Sequence, residues 1–119
     1  MRPNVPAILL CEDELLIAAY LEEALNDRGA EVLGPYAVQS EATDAIERRR
    51  PDGAILDVTL SDGHCAKLAK QLAHNRVPIV VFCALPASFY PEIAELADVW
   101  LEKPQDAEKV VDAILKLLA

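Results

Sequence analysis

The sequence predicts a doubly wound α/β fold: a five-stranded parallel sheet with helices on both faces. Two observations carry this. Short aliphatic runs alternate five times with segments of helical period, which calls for parallel strands joined by crossover helices. The run Ile79, Val80, Val81, Phe82 has no polar interruption, as a strand buried on both faces requires. A hydrophobic content of 53% with only 5% aromatic residues fits such an aliphatic core. At 119 residues, the whole of 1–119 is expected to form one domain.

Residues 5–11 read as a buried strand ending at the acidic run Glu12, Asp13, Glu14. Asp13 is the expected N-cap of a helix that runs to Arg28 and stops at Gly29. Ile17, Leu21, Ala24 and Leu25 fall on its inner face. Residues 31–35 form a second strand. Ser40 is the expected cap of a helix through Arg49, with Ala42, Ala45 and Ile46 inward and Arg48, Arg49 and Arg50 as its solvated end. Residues 54–56 form the third strand, and a helix over 63–74 buries Leu68, Ala69 and Leu72. Residues 78–82 are the fourth strand. The segment 85–97 is the weakest helix, because Pro86 and Pro91 both limit where it can start. Residues 98–101 form the fifth strand and 106–118 the last helix. That helix carries two apolar rows, one of Val110, Ile114 and Leu117 and another of Val111, Leu115 and Leu118. The surplus is expected to serve a partner or a second copy of the chain.

Bulk properties narrow the function. A net charge of −9 argues against nucleic acid as a partner, since phosphate backbones require a basic footprint. No apolar run is long enough to span a membrane, and residues 1–6 do not read as a signal peptide, so a cytoplasmic protein is expected. Cys11, Cys65 and Cys83 are scattered without metal-ligand spacing and read as buried reduced thiols. His64 and Cys65 are neighbours on a helix and would face apart, so they make no metal pair.

The chemistry gathers at strand ends. Asp57 follows the apolar residues Gly53, Ala54, Ile55 and Leu56, and a carboxylate there is costly unless it is paired. Ligand sites in open α/β sheets lie at such carboxyl ends. The other strand ends bring Glu12 and Asp13, Cys83 and Ala84, and Lys103 and Pro104. Converging carboxylates repel without a cation. Asp13, Asp57, a loop carbonyl and waters would suit Mg²⁺, with Lys103 adding one positive charge. A carboxylate so placed is a sensible phosphoryl acceptor. The plainer readings are acids that complement a helix dipole, a turn aspartate and a solvated lysine.

These residues carry a resemblance. The strand with its acidic run at 8–14, the strand end Ile55, Leu56, Asp57, Val58, and the stretch Trp100, Leu101, Glu102, Lys103, Pro104 together resemble the receiver domains of two-component response regulators, over residues 7–118. The resemblance implies a flavodoxin-like sheet in the order 2-1-3-4-5 with five helices, and a single receiver domain over 1–119. It implies phosphorylation of Asp57 and Mg²⁺ held by Asp13 directly, by Glu12 through water, by Asp57 and by the Thr59 carbonyl. It also implies that Lys103 contacts the phosphoryl group and that the Lys103–Pro104 peptide is cis. Trp100 stands at the aromatic switch position, usually Tyr or Phe. The implied partners are a histidine kinase or histidine phosphotransfer protein and a downstream protein or second copy on the face of the fourth helix, fifth strand and fifth helix. No turnover enzyme is implied.

Two positions depart from the pattern. Cys83 stands where the family has Thr or Ser, and a thiol is a weaker donor than a hydroxyl. Phosphorylation is therefore expected with a weakened or rewired switch, and a pseudo-receiver that binds partners regardless of phosphorylation is the alternative. Leu15 stands where many relatives have Pro; ordinary packing is expected of it, with contact to a kinase as the alternative. A faint likeness of residues 57–60 to aspartate-nucleophile phosphatases fails at Thr59, where those enzymes need a second Asp.

Overall fold

The computed structural model describes residues 5–119. The first residues of the segment 1–6, read above as lacking a leader, lie outside that range. The chain runs through β1 (Ala7–Cys11), α1 (Leu15–Asp27), β2 (Glu31–Tyr36), α2 (Gln39–Arg48), β3 (Gly53–Leu56), β4 (Thr59–Leu60), β5 (Gly63–His64), α3 (Ala66–His74), β6 (Ile79–Cys83), a 3₁₀ turn (Ala87–Phe89), α4 (Pro91–Ala94), β7 (Val99–Glu102) and α5 (Ala107–Leu118). Five strands form one parallel sheet in the order β2-β1-β3-β6-β7. This is the expected 2-1-3-4-5 order, because β4 and β5 form a separate antiparallel hairpin.

The alternation of side chains along each strand divides the core in two. Leu9, Cys11, Ala54, Leu56, Ile79 and Val81 face α2 and α3, where Ala42, Leu68 and Leu72 meet them. Ile8, Leu10, Ile55, Val80 and Phe82 face α1 and α5, against Leu21, Leu25, Val110 and Ile114. Each fully buried Leu or Ile contributes about 1.5–3 kcal/mol, so the strand centres hold the sheet rigidly under the site.

Gly29 and Gly34 both sit where backbone geometry favours glycine. Gly29 ends α1 at φ +79, the left-handed conformation of a helix terminus. Gly34 has φ +116, and a Cβ there would lie 2.7 Å from the Leu10 carbonyl oxygen. The β1–β2 register shifts at this point, and the shift brings the Tyr36 carbonyl onto the Glu12 N–H at 2.9 Å.

Several local expectations are corrected. Asp13 is not the cap of α1: the N-cap is Glu14, with no side-chain cap bond. Ser40 does not cap α2, which begins at Gln39; instead Asp62 accepts the Gln39 and Ser40 N–H groups at 2.7 and 3.2 Å. Arg49 and Arg50 are not merely solvated, since Arg49 pairs with Glu31 and Arg50 donates to the Asn75 and Arg76 carbonyls. The third helix starts at Ala66 rather than residue 63, because Gly63 at φ +121 turns the β4–β5 hairpin. Segment 85–97 holds only the 3₁₀ turn and the four-residue α4. Leu15 does not pack; it is 86% exposed. Val110, Val111 and Ile114 of α5 are fully buried, which leaves Leu117 as its exposed large apolar side chain.

Candidate functional site

Three candidate residues share one construction. Glu12, Asp57 and Lys103 each lie one position beyond their strand, and each backbone N–H continues the ladder onto the last residue of the next strand. Glu12 donates to Tyr36 at 2.9 Å, Asp57 to Cys11 at 2.9 Å and Lys103 to Cys83 at 2.8 Å. Three side chains of opposing charge are thus anchored by sheet backbone, which is stiffer than a loop. The Lys103–Pro104 peptide is cis, as the resemblance implied, and so is Gly34–Pro35.

Lys103 sits among the acids. Its Nζ lies 3.0 Å from Asp57 Oδ2, 3.0 Å from Glu12 Oε1 and 3.5 Å from Glu14 Oε1. It also lies 5.7 Å over the Phe82 ring. Glu12 and Asp57 are the two buried charged residues among those described. Burial pushes the Glu12 carboxyl up to about 7, against the pull of its hydrogen bonds from Lys103 and the Glu14 N–H. Burial pulls the Lys103 ammonium down, but its bonds to Glu12 and Asp57 outweigh this and hold it above the ordinary lysine range. It therefore stays charged.

Glu12, Asp13 and Asp57 bring carboxylate oxygens within 4.8 Å of one another. Three carboxylates against one ammonium leave a surplus of negative charge on hard oxygen donors. That donor set fits Mg²⁺, which takes one or two carboxylates and retains waters. Thr59 lies beside the cluster, and its N–H faces Asp57 Oδ1 at 3.4 Å.

Cys83 ends β6 and lines the same cavity, of about 260 Å³. Its thiol points back into its own loop and donates to the Leu85 carbonyl at 3.2 Å. The Trp100 indole N–H donates to the same carbonyl at 3.0 Å. Trp100 is thus held at the β7 edge, stacked on Tyr90 with ring centroids 6.3 Å apart. Tyr90 also lines the cavity, and motif reading missed it; the one sequence signal was an aromatic residue beside Pro91 in the segment with least helix. Asp62 was missed as well, because its partners lie 22 and 23 residues away.

Comparison with known proteins agrees with this geometry. The family model for the response regulator receiver domain matches residues 8–115. A transcriptional regulatory protein of Mycobacterium tuberculosis, PdtaR, is 33% identical over 110 residues, which cover 90% of this chain and 54% of that protein. The chain thus spans about half the length of that relative. A response regulator receiver domain (CheY-like) from Methylobacillus flagellatus superposes with a TM-score of 0.81 at 25% identity, covering 98% of this chain and all of the other. A response regulator receiver protein from Sinorhizobium medicae reaches 0.86 at 22% identity, with 98% and 97% covered, a likeness of fold. A strand order, an acidic cluster with its lysine and a family match over nearly the whole chain converge: this protein belongs to the response regulator receiver domains, the signalling modules of two-component systems.

Proposed function

We propose that the chain is an active phosphoacceptor: Asp57 takes a phosphoryl group from a phosphohistidine of a histidine kinase or histidine phosphotransfer protein, in a Mg²⁺-dependent reaction. The observation that carries this is the setting of Asp57, which is buried one residue past β3, 3.0 Å from the Lys103 ammonium and beside the Glu12 and Asp13 carboxylates. Receiver domains bind Mg²⁺ at an acidic pocket, and these acids form one. Asp13, Asp57, the Thr59 carbonyl and, through water, Glu12 would hold the ion, whose charge opposes that of the phosphoryl oxygens.

The remaining work falls to the chain. The sheet backbone holds the Asp57 carboxylate at the cavity floor. As a carboxylate oxygen bonds to phosphorus, the P–N bond to the donor imidazole breaks and its electron pair returns to the ring. Lys103 counters the charge gathered on the acceptor and the transferred group, and Glu12, its other partner, keeps the ammonium aimed inward.

The donor has a surface to meet. Leu15, Leu16 and Tyr20 are 86%, 66% and 56% exposed on α1, beside the mouth where Glu14 stands. A second cavity of about 780 Å³ between α1 and α5 shares Glu14 and Lys103 with the first. The face of α4, β7 and α5 serves a downstream protein or a second copy, and the three unpaired cysteines suit a reducing cytoplasm. One receiver unit over 1–119 accounts for all of this.

Intact mass after incubation with an acyl phosphate and Mg²⁺ tests the reading. One phosphoryl adduct is expected, absent without Mg²⁺ and absent in Asp57→Asn. An adduct that survives Asp57→Asn overturns the assignment. The second reading, a pseudo-receiver, is favoured by the Cys83 thiol that donates to Leu85 rather than into the cavity. A folded, Mg²⁺-binding protein that takes no phosphoryl group from either an acyl phosphate or a phosphohistidine protein would establish it.

A further inference from the structure

One wall of the Asp57 cavity includes Tyr90, the middle member of an aromatic chain of His64, Tyr90 and Trp100. His64 pairs with Thr59 across the β4–β5 hairpin. Its ring meets Tyr90 edge-on, with centroids 5.5 Å apart at 86°, and Tyr90 stacks on Trp100 at 6.3 Å and 26°. Trp100 then donates to the Leu85 carbonyl that also receives the Cys83 thiol. Tyr90 is the central member, and it lines the cavity together with Asp57 and Thr59.

Tyr90 is also a mechanical joint. Its carbonyl accepts the Ile93 and Ala94 N–H groups and so starts α4. That helix has four residues and one buried side chain, Ile93. Few buried contacts oppose its displacement, so this segment opens at low cost. Cys83, by contrast, ends a strand buried along its whole length and has its thiol engaged. A group added to Asp57 meets a stiff wall at Cys83 and a yielding one at Tyr90.

We propose that Tyr90, rather than the Cys83 thiol, is the positioning residue that couples the phosphorylation state of Asp57 to Trp100, through ring stacking. The inference rests on the phosphoacceptor reading above. The phosphoryl group takes up space in the cavity that Tyr90 lines, and so crowds that side chain. Displacement of Tyr90 removes the stack on Trp100 and shifts the first turn of α4 with it.

The chain has a single tryptophan, so its fluorescence and its indole N–H resonance both report Trp100 alone. Both are read before and after phosphorylation by an acyl phosphate with Mg²⁺, and adduct yield is measured by intact mass in the same samples. The wild-type protein is expected to show a shift of both signals. Compared at equal adduct yield, Tyr90→Leu is expected to lose the shift, whereas Tyr90→Phe keeps it. An unchanged shift in Tyr90→Leu, no shift in the phosphorylated wild type, or loss of the shift in Tyr90→Phe overturns the inference while the phosphoacceptor reading stands. If the wild-type protein forms no adduct with a phosphohistidine donor either, both fall together.

Discussion

Two connections leave the floor of the site, and they are built in opposite ways. Residues 57–66 are stitched down. The Ser61 N–H donates to the Ala37 carbonyl, the Cys65 N–H to Val58, and Asp62 caps α2 from outside. Val58, Leu60 and Cys65 are buried in the core. Residues 84–98 have a 3₁₀ turn and one short helix, with Leu85 and Phe89 exposed. Both border the same cavity. On the phosphoacceptor reading proposed above, the acceptor has to stay in place while something beside it moves, and the two segments would divide these duties. The physical basis is the number of buried apolar side chains in each: Val58, Leu60 and Cys65 in the first, Ile93 in the second.

Hydrogen exchange offers the widest test of that contrast. The Ser61 and Cys65 amides, bonded to the Ala37 and Val58 carbonyls, should open rarely, whereas α4 should open locally. Protection at Ser61 and Cys65 should exceed that in α4 by about tenfold or more, as measured by native-state exchange. Equal protection would erase the distinction.

The cysteines sharpen it, because Cys65 closes the stitched connection and Cys83 precedes the loose one. Burial first, and then the charge of Asp57, push the Cys65 thiol up to about 12; Cys83 is raised too, chiefly by burial. At pH 8 a thiol of that kind is about one part in 10⁴ thiolate, the reactive form. A maleimide followed by mass spectrometry should therefore label Cys83 first, and Cys65 only on unfolding. The same shift sets a pH dependence. The folded thiol holds its proton above the ordinary cysteine range. Its contribution to stability is therefore complete below about pH 9 and lost as pH rises toward 12. Lys103, raised above its ordinary value by Glu12 and Asp57 despite burial, acts in the same direction. Denaturation midpoints should fall through this alkaline range, less steeply in Cys65→Ala.

Asp62→Ala removes the acceptor for two helix-end N–H groups and should lower the urea midpoint modestly. Asp62→Asn should recover part of it, since its amide oxygen can still accept. The smallest effect concerns residue 83. Cys83→Thr supplies a hydroxyl donor at the cavity wall and should enlarge the phosphorylation-induced shift of Trp100 fluorescence modestly. No change at all would show that the donor at this position has no part in the response.

The strands and the charged residues that follow three of them were legible from local pattern, whereas the strand order that joins those residues came from the family resemblance. Continuous apolar runs mark strands buried on both faces, and Glu12, Asp57 and Lys103, each just past a strand, mark the sheet's carboxyl edge. Glu12, Asp57 and Lys103 needed only this alternation and a strand order to meet. Ile17, Leu21, Ala24 and Leu25, and likewise Leu68 and Leu72, turned inward as their spacing required. The two prolines at 86 and 91 gave fair warning of a weak fourth helix, though not of how short it is.

What only tertiary structure decided has a common cause: it depends on groups far apart in sequence competing for the same donor or the same space. Ser40 and Asp13 have the right chemistry to cap helices, yet Asp62 reaches the end of α2 from a distant turn, and Glu14 begins α1. Leu15 reads as a core residue by composition, but β1 releases the chain at the sheet's edge and leaves it in solvent. Cys83 has one lone donor, and the fold of its own loop brings the Leu85 carbonyl to it. Tyr90 carries no motif; its place in the cavity follows from packing between a hairpin and an edge strand, which periodicity along one chain segment does not encode.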